Sequence, residues 1–289
     1  MATPVTSDLA SSGVPMSMIS RIFFVVLLLC FSMAGPLYAK SAMHPAELAA
    51  HQQAETGNWE AARQSFAKAA EQGSPTAMAW LGLIHEEGRG VDASDAMAAS
   101  WYSRAVEAGA EHLALKLGWL YLSSSTIRDQ ARAEQWFRYG IDQGDLSAHV
   151  ALASLLIADA LGGKDVERVH QAREWLLTAH AGGQPVAKFF LTRLYLEGIG
   201  GHPLDYAKAY HYASLGADEG HPQMQGWLAQ IYMDGLGRDS DAIAAAKWAM
   251  LAAIGGDPLG SGIYAKLELA LSEAQLAEAR QQAIAWASR

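Results

Sequence analysis

The sequence predicts an all-α protein, a solenoid of tandem antiparallel helix pairs that ends in a C-terminal capping helix. Two observations favour this fold class. The 289-residue chain is rich in alanine, the best helix former, and shows no convincing run of alternating β-branched residues. Several classes of residue also recur with one common spacing along most of the chain, which is typical of stacked structural repeats.

Residues 1–39 are predicted to be a signal peptide rather than part of the fold. Residues 22–34 form an apolar run of 13, interrupted only by Ser32 and preceded by Arg21. This run is shorter than the about 17–25 residues of a membrane-spanning helix, and it fits the apolar segment of a secretory signal. Cleavage is expected after Ala39, which predicts a periplasmic or secreted protein with no membrane span after signal cleavage.

Two alternatives stay open at this end of the chain. The apolar run is also compatible with an uncleaved N-terminal anchor, because its length is not far below that of a span. The polar stretch 1–15 is unusual before a signal peptide, so Met16 and Met18 are candidate start residues.

Residues 40–271 are predicted to form the solenoid, with about six units that are each closed by a glycine. Glycine at a helix C-terminus adopts the left-handed conformation without steric cost. Successive members of this set are 36, 35, 39, 37 and 36 residues apart. They are Gly73, Gly109, Gly144, Gly183, Gly220 and Gly256.

Each unit is expected to hold two helices that are marked by different residues. Eight positions after the glycine the first helix has a leucine, followed by a small residue; the leucines are Leu81, Leu117, Leu152, Leu191 and Leu228. Eight positions before the next glycine the second helix has a large aromatic residue; these are Trp101, Trp136, Trp175, Tyr212 and Trp248. We expect the small residue to let the helices approach closely and the aromatic ring to fill the space between neighbours.

The C-terminal end is predicted to close the array. A lone first helix is expected near residues 260–270, followed by a capping helix within residues 272–289. Ser272 and Gln275 have the spacing of a capping box, which favours a helix start there.

Composition and motifs argue against several classes of site. The net charge of -9 argues against a surface for nucleic acid. The single cysteine, Cys30, would leave with the signal peptide, so no disulfide, thiol chemistry or cysteine-ligated metal is predicted. His211 and His221 lack a zinc-protease pattern, and residues 260–262 lack the strand required by a nucleophile elbow. We therefore predict no catalytic residues, no cofactor and no metal, and we expect His85 to be a packed core histidine.

One block of residues carries a resemblance to a known family. The block comprises Leu81-Gly82, Gly88-Arg89-Gly90-Val91, Ala96, Trp101-Tyr102, Ala105 and Ala108-Gly109. It resembles the Sel-one-like repeat (SLR) family, relatives of the tetratricopeptide repeats, and similar blocks occur at 191–220 and 228–256. The resemblance covers most of residues 45–270 and implies a right-handed α-solenoid with a scaffold or adaptor role, often in envelope processes or signalling complexes.

Three parts of the chain differ from this pattern. The first unit, from Leu48 to Gly73, looks closer to an ordinary tetratricopeptide repeat. The third unit has serines at 123–125 in place of the glycine turn, and the fourth has a longer loop around residues 161–164. Some cysteine-rich members of the family have been linked to β-lactam hydrolysis, and this chain lacks those cysteines.

The first helices carry a second stripe of residues beside the core positions, at offsets 3, 7, 10 and 14 from each glycine. Steps of three and four keep these residues on one helix face. In solenoids of this kind the first helices line the concave face, so large side chains here are expected to be partly exposed and to bind another protein or peptide. The predicted partner-binding residues are Trp80, Lys116, Trp119, Phe190, Arg193 and Trp227.

Two interpretations of this stripe stay open. Its aromatic rings are suited to anchoring a peptide, and Lys116 and Arg193 to meeting a carboxylate. The rings are equally suited to packing between adjacent first helices. The predicted function is an exported scaffold or adaptor; the alternatives are a periplasmic regulator of a membrane sensor or envelope assembly machine and, with less support, a cell-wall hydrolase.

Overall fold

A computed structural model describes residues 45–161 and 166–289, and within these ranges the chain forms fourteen α-helices and no strand. The predicted signal peptide and its cleavage site lie outside the described residues. The helices are α1 (Pro45–Glu55), α2 (Trp59–Glu71), α3 (Pro75–Glu87), α4 (Asp95–Glu107), α5 (Leu113–Ser123), α6 (Gln130–Asp142), α7 (Leu146–Ala160), α8 (Val166–Ala181), α9 (Pro185–Glu197), α10 (Tyr206–Asp218), α11 (Pro222–Asp234), α12 (Ala242–Ile254), α13 (Pro258–Ala270) and α14 (Glu273–Ala287).

The helices form consecutive pairs, so the predicted all-α solenoid is confirmed. Odd-numbered helices are the first helices of their units, and even-numbered helices are the second. From α1 to α13 each helix packs against the next one along the chain, both within a unit and between units. The core therefore lies between stacked pairs, as three successive clusters of buried residues that half-buried Leu113 and Trp175 join.

Local chemistry sets the boundaries of the units. All six marker glycines have positive φ, as predicted for residues that end a helix; Gly109, for example, has φ 103°. Four of the first helices begin with a proline two residues after such a glycine, as in Gly73 and Pro75. Proline has no N–H to leave unpaired at the first helical position, so the pair of residues stops one helix and starts the next.

A recurring backbone hydrogen bond closes the loop inside four of the units. The N–H of the residue that caps the second helix donates to the carbonyl of the residue twelve positions after the marker glycine. The N···O distances are 2.8 Å for Ser94 to His85, 2.9 Å for Asp129 to Tyr121, 3.0 Å for Asp205 to Tyr195 and 2.9 Å for Asp241 to Tyr232. The bond fixes where the second helix starts relative to the first.

The serine-containing turn of the third unit has the same backbone hydrogen bond, from Asp129 to Tyr121. The Ser124 hydroxyl accepts hydrogen bonds from the backbone N–H groups of Thr126 and Ile127, each at 3.0 Å. The same hydroxyl donates to the Asp95 carboxylate at 2.6 Å, on α4 of the preceding unit. A side chain thus organises the turn here, where other units use left-handed glycines such as Gly88.

The predicted leucines are buried in every unit, but the predicted aromatic register is wrong in three units. Trp101, Trp136 and Trp175 are only half-buried. The residue after each of them fills the interior instead, as Tyr102, Phe137 and Leu176. In the last two units Tyr212 and Trp248 are buried as predicted.

In the second and third units the buried ring packs against a glycine of the first helix. A Cβ atom on Gly82 would lie 2.5 Å from Tyr102 Cε1, and one on Gly118 would lie 2.2 Å from Phe137 Cε1. The rings therefore lie directly on the bare glycine backbone. In the last two units the small residue is Thr192 or Ala229, and the residue after the predicted aromatic is an alanine.

The C-terminal end differs from a regular unit, as predicted. Ser272 and Gln275 form both hydrogen bonds of the capping box at the start of α14. This helix packs against α12, where the rings of Trp248 and Trp286 meet edge to face at 5.6 Å. The second helix of the last complete unit is thereby covered.

His202 lies buried in the loop between α9 and α10. Its ring packs edge-on against Tyr195 at 5.3 Å and His170 at 5.4 Å. Nδ1 lies 2.9 Å from the Pro203 carbonyl, and Nε2 is buried without a hydrogen-bond partner among the described residues. Burial lowers the pKa of His202, an effect partly offset by the Pro203 carbonyl and reinforced by the Arg173 charge.

Acid is expected to destabilise the protein partly through His202. The unfolded chain takes up a proton at the ordinary histidine pKa of about 6.5, whereas folded His202 resists protonation until a lower pH. The free energy of unfolding should therefore fall as the pH drops below about 6.5. Urea titrations between about pH 8 and pH 5 should show a weaker dependence for His202→Phe, while the exposed-site control His112→Phe should keep the wild-type slope. Equal slopes for all three proteins would contradict this role.

Candidate functional site

The candidate site is the face formed by the predicted stripe, here called the first-helix stripe: the residues at offsets 3, 7, 10 and 14 on α3, α5, α7, α9 and α11. On four of these helices its members are half-buried or exposed, as predicted. On α7 the two central members, Ala151 and Ser154, are buried. The stripe therefore has an N-terminal part on α3 and α5 and a C-terminal part on α9 and α11.

The N-terminal part contains Trp80 and Trp119, and both rings take part in packing. The Trp80 ring lies parallel to Phe66, with centroids 5.5 Å apart and an interplanar angle of 3°, and meets His51 edge-on at 5.1 Å. Trp119 meets Phe137 at 5.3 Å. Both tryptophans are half-buried, so part of each indole remains accessible.

Lys116 is engaged in a contact between units. Its Nζ lies 2.8 Å from Glu86 Oε2 on α3, and the Tyr102 hydroxyl of α4 donates to the same carboxylate at 2.6 Å. Burial raises the pKa of Tyr102, and the Glu86 charge raises it further, so the hydroxyl stays a donor. A partner carboxylate would have to compete with Glu86 for Lys116.

The C-terminal part is a cluster of three rings. Phe189, which the sequence analysis did not single out, lies 4.8 Å from Trp227 and 5.3 Å from Phe190. It joins α9 to α11, the first helices of successive units. Next to this cluster, Arg193 pairs with Glu197 of its own helix at 2.9 Å. The only sequence signal for Phe189 is its position beside Phe190.

Both interpretations of the stripe thus describe part of the geometry. Every predicted aromatic residue contacts another ring, and every one also stays partly exposed. The structure joins Phe190 and Trp227 through Phe189 and leaves the N-terminal part as a separate group. Aromatic rings held in place by packing lose little entropy when they contact a partner.

The histidines considered as catalytic candidates have separate structural contacts. The His211 ring lies edge-on to Tyr212 at 5.0 Å, and His221 pairs with Glu219 at 3.3 Å. His85 is half-buried, and burial lowers its pKa. In the part of the chain that the structure describes, no group of three or more histidine, cysteine, aspartate or glutamate side chains is placed to hold a metal. Within residues 45–161 and 166–289, every helix is too short or too polar to cross a membrane.

A second feature, a basic side chain that lies over a tyrosine ring, is found beside the loops inside two units and was not predicted from the sequence. Arg132 and Lys208 occupy equivalent places near the starts of α6 and α10, each over a tyrosine ring of the first helix: Arg132 at 5.5 Å from Tyr121 and Lys208 at 5.2 Å from Tyr195. Each cation also pairs with the aspartate three residues before it. A basic residue three positions after a helix-capping aspartate was the available sequence signal.

In the third unit this feature opens into a shallow cleft of about 400 Å³. The cleft is lined by Tyr121, Arg132, Gln135, Trp136 and Tyr139. Trp136 lies about 100° around α6 from the buried Phe137, because successive helical residues differ by that angle. The unexpected register of this unit is therefore what places Trp136 at the surface.

Four stretches of the chain match the family model of the Sel1 repeat: residues 75–109, 113–145, 185–221 and 222–257. They correspond to the second, third, fifth and sixth helix pairs. Residues 146–184, the predicted unit with the longer loop, are not among the matched stretches.

Two solved structures share the architecture. One is a protective antigen present in uropathogenic Escherichia coli strains that displays an SLR fold, with a TM-score of 0.66 and 26% identity over 83% of this chain. This chain spans 53% of that protein's length. The other is a Sel1 repeat protein from Oxalobacter formigenes, with a TM-score of 0.61 and 23% identity over 82% of this chain and 97% of that one. No curated protein sequence matches the chain.

Proposed function

Because the chain belongs to the Sel1 repeat family, whose members typically bind other proteins, we propose that it is a scaffold whose first-helix stripe binds a partner protein. The observation that carries the proposal is the ring cluster of Phe189, Phe190 and Trp227, which is preorganised by packing and still partly exposed. Rigid aromatic anchors of this kind dominate the energy of protein interfaces.

The charge beside the ring cluster supports the same face. Arg193 pairs with Glu197 of its own helix, and that carboxylate is exposed. An exposed pair within one helix contributes about 0.3–0.5 kcal/mol, so a partner carboxylate can replace it at little cost. Lys116 is held by Glu86 and lies over the Tyr102 ring, which favours a structural role for that residue.

We place this scaffold outside the cytoplasm, in an envelope or signalling process. The support is the apolar run at residues 22–34, whose length and flanks suit a secretory signal. The narrower version, a regulator of a membrane sensor or assembly machine, rests on the same run.

The stripe is tested by Trp227→Ala and Trp80→Ala in cells, with crosslinking and mass spectrometry of the captured proteins. Each truncation removes part of an aromatic anchor, so recovery of a shared partner should fall at least about tenfold. Trp101→Ala is the matched control, because Trp101 is also half-buried but lies on the second helix α4. Circular dichroism should show the same helix content in all variants.

Two outcomes would contradict the proposed binding face. If both stripe variants retain every partner that the wild type captures, or if Trp101→Ala loses the same partner, the stripe is not the binding face. In the same samples the N-terminal residue of the repeat protein itself is expected to be Lys40, as cleavage after Ala39 requires.

A further inference from the structure

The cleft of the third unit contains an aromatic surface, the Trp136 ring, that no cation of the described residues covers. In two other units the corresponding tryptophan lies under a guanidinium: Arg104 is 4.3 Å from the Trp101 ring, and Arg138 is 5.4 Å from the Trp175 ring. Among the described residues no arginine or lysine lies over Trp136. Its indole instead forms a wall of the cleft with Tyr139, at 6.0 Å and an interplanar angle of 70°.

Arg132 supplies the only charge among the residues that line the cleft. Its side chain is 62% exposed. Nε points to Asp129 at 3.3 Å, and Nη1 lies 3.5 Å from the Tyr121 hydroxyl. A guanidinium has five N–H donors in a planar fork, so donors remain for a second carboxylate.

The size and chemistry of the cleft define what it can hold. About 400 Å³ is at the small end of ligand sites, which suits one or two side chains. Two aromatic walls favour an apolar or aromatic side chain. The single guanidinium favours one carboxylate beside it, and the Gln135 amide offers a donor and an acceptor to a peptide backbone.

We propose that this cleft binds an acidic–apolar segment of a partner protein, with an apolar side chain between Trp136 and Tyr139 and the carboxylate of a neighbouring aspartate or glutamate on Arg132. The site is separate from the first-helix stripe, since Tyr121 lies about 200° around α5 from Trp119.

The test uses the indole N–H resonance of Trp136 in the ¹⁵N-labelled protein, assigned by its loss in Trp136→Phe. The probes are two acetylated and amidated tetrapeptides, Gly-Glu-Phe-Gly and its isosteric control Gly-Gln-Phe-Gly. The glutamate peptide should shift this resonance in a saturable way, and the glutamine peptide should bind at least about tenfold more weakly.

Two variants test whether the Arg132 charge distinguishes the glutamate peptide from the glutamine peptide. Arg132→Gln should abolish the difference between the two peptides. Lys208→Gln, at the equivalent place in the fifth unit, should leave it unchanged. The proposal is overturned if Trp136 does not respond, if the wild type binds both peptides equally, or if the peptide shifts only tryptophans of the first-helix stripe. The comparison of the two peptides on the wild type decides the matter even if a variant is unstable.

Discussion

Replacing Gly118 with alanine is expected to lower the free energy of unfolding by about 1–3 kcal/mol. The added Cβ would lie 2.2 Å from Phe137 Cε1 and 2.5 Å from Cδ1, closer than any relaxed contact. Phe137 is fully buried and also contacts Trp119 at 5.3 Å, so its ring has no free space to enter. Chemical denaturation followed by circular dichroism measures the loss.

A matched control separates this clash from the general effect of alanine. Gly262 lies inside α13, and a Cβ there would meet nothing within 4 Å. Gly262→Ala should therefore raise stability, by up to about 1 kcal/mol, through helix propensity alone. Combining Gly118→Ala with Phe137→Leu should cost less than the sum of the two single changes, because the smaller side chain relieves the clash. Equal stability of the two alanine variants would refute the close approach of α5 and α6.

Glu219→Ala is expected to cost about 1–3 kcal/mol, although Glu219 itself is exposed. Its carboxylate pairs with Lys188 on α9, whose side chain is only 7% exposed. The hydrogen bond from Lys188 lowers the pKa of Glu219. Without that carboxylate, a buried ammonium would lose its charge partner, which is costly in a low-dielectric site. Urea or thermal unfolding at neutral pH measures the difference.

Removal of the cation should have a much smaller effect than removal of the carboxylate. Lys188→Met keeps the length of the side chain and removes the buried charge, so it should change stability by less than about 1 kcal/mol. Glu219→Ala added to Lys188→Met should then cost little. Glu197→Ala breaks an exposed pair with Arg193 and should cost at most about 0.5 kcal/mol. A larger loss for Lys188→Met than for Glu219→Ala would contradict the asymmetry.

The boundaries and core leucines of the solenoid could be predicted from sequence because they follow from local rules. A glycine with positive φ ends a helix wherever it stands, and a leucine at a fixed distance from it faces the same neighbour in every unit. The capping box at Ser272 has the same local character. These features need no knowledge of the neighbouring unit.

The aromatic register depended on information from another helix. Trp136 and Phe137 are adjacent and both aromatic, so hydrophobic periodicity cannot decide which one faces inward. The decision follows from Gly118 on the opposing helix, which leaves room for a ring directly on the backbone. The sequence does contain this signal in two units, as the glycine that follows the core leucine of the first helix, Gly82 and Gly118.

The helix face that carries the candidate site could be predicted, but the contacts between its side chains could not. Helical spacing placed Phe190 and Trp227 on one face, yet the contact of Phe189 with Trp227 depends on the distance between two units. The pairing of Lys116 with Glu86 depends on that distance as well. Packing between neighbouring units sets the rise and twist from one unit to the next. No spacing of residues within a single sequence gives these two quantities.

Because Ala151 and Ser154 are buried, α7 separates the N-terminal and C-terminal parts of the first-helix stripe. A ligand with one matching motif would bind a single part of the stripe and dissociate quickly. A ligand with two motifs at the right separation would occupy both, and the second contact would form at high effective concentration, a gain of about 10²–10⁴ in avidity. In that arrangement the fourth helix pair sets the distance between the two parts of the stripe. The distance between the two motifs of a ligand, more than the affinity of either motif, would then decide which ligand stays bound.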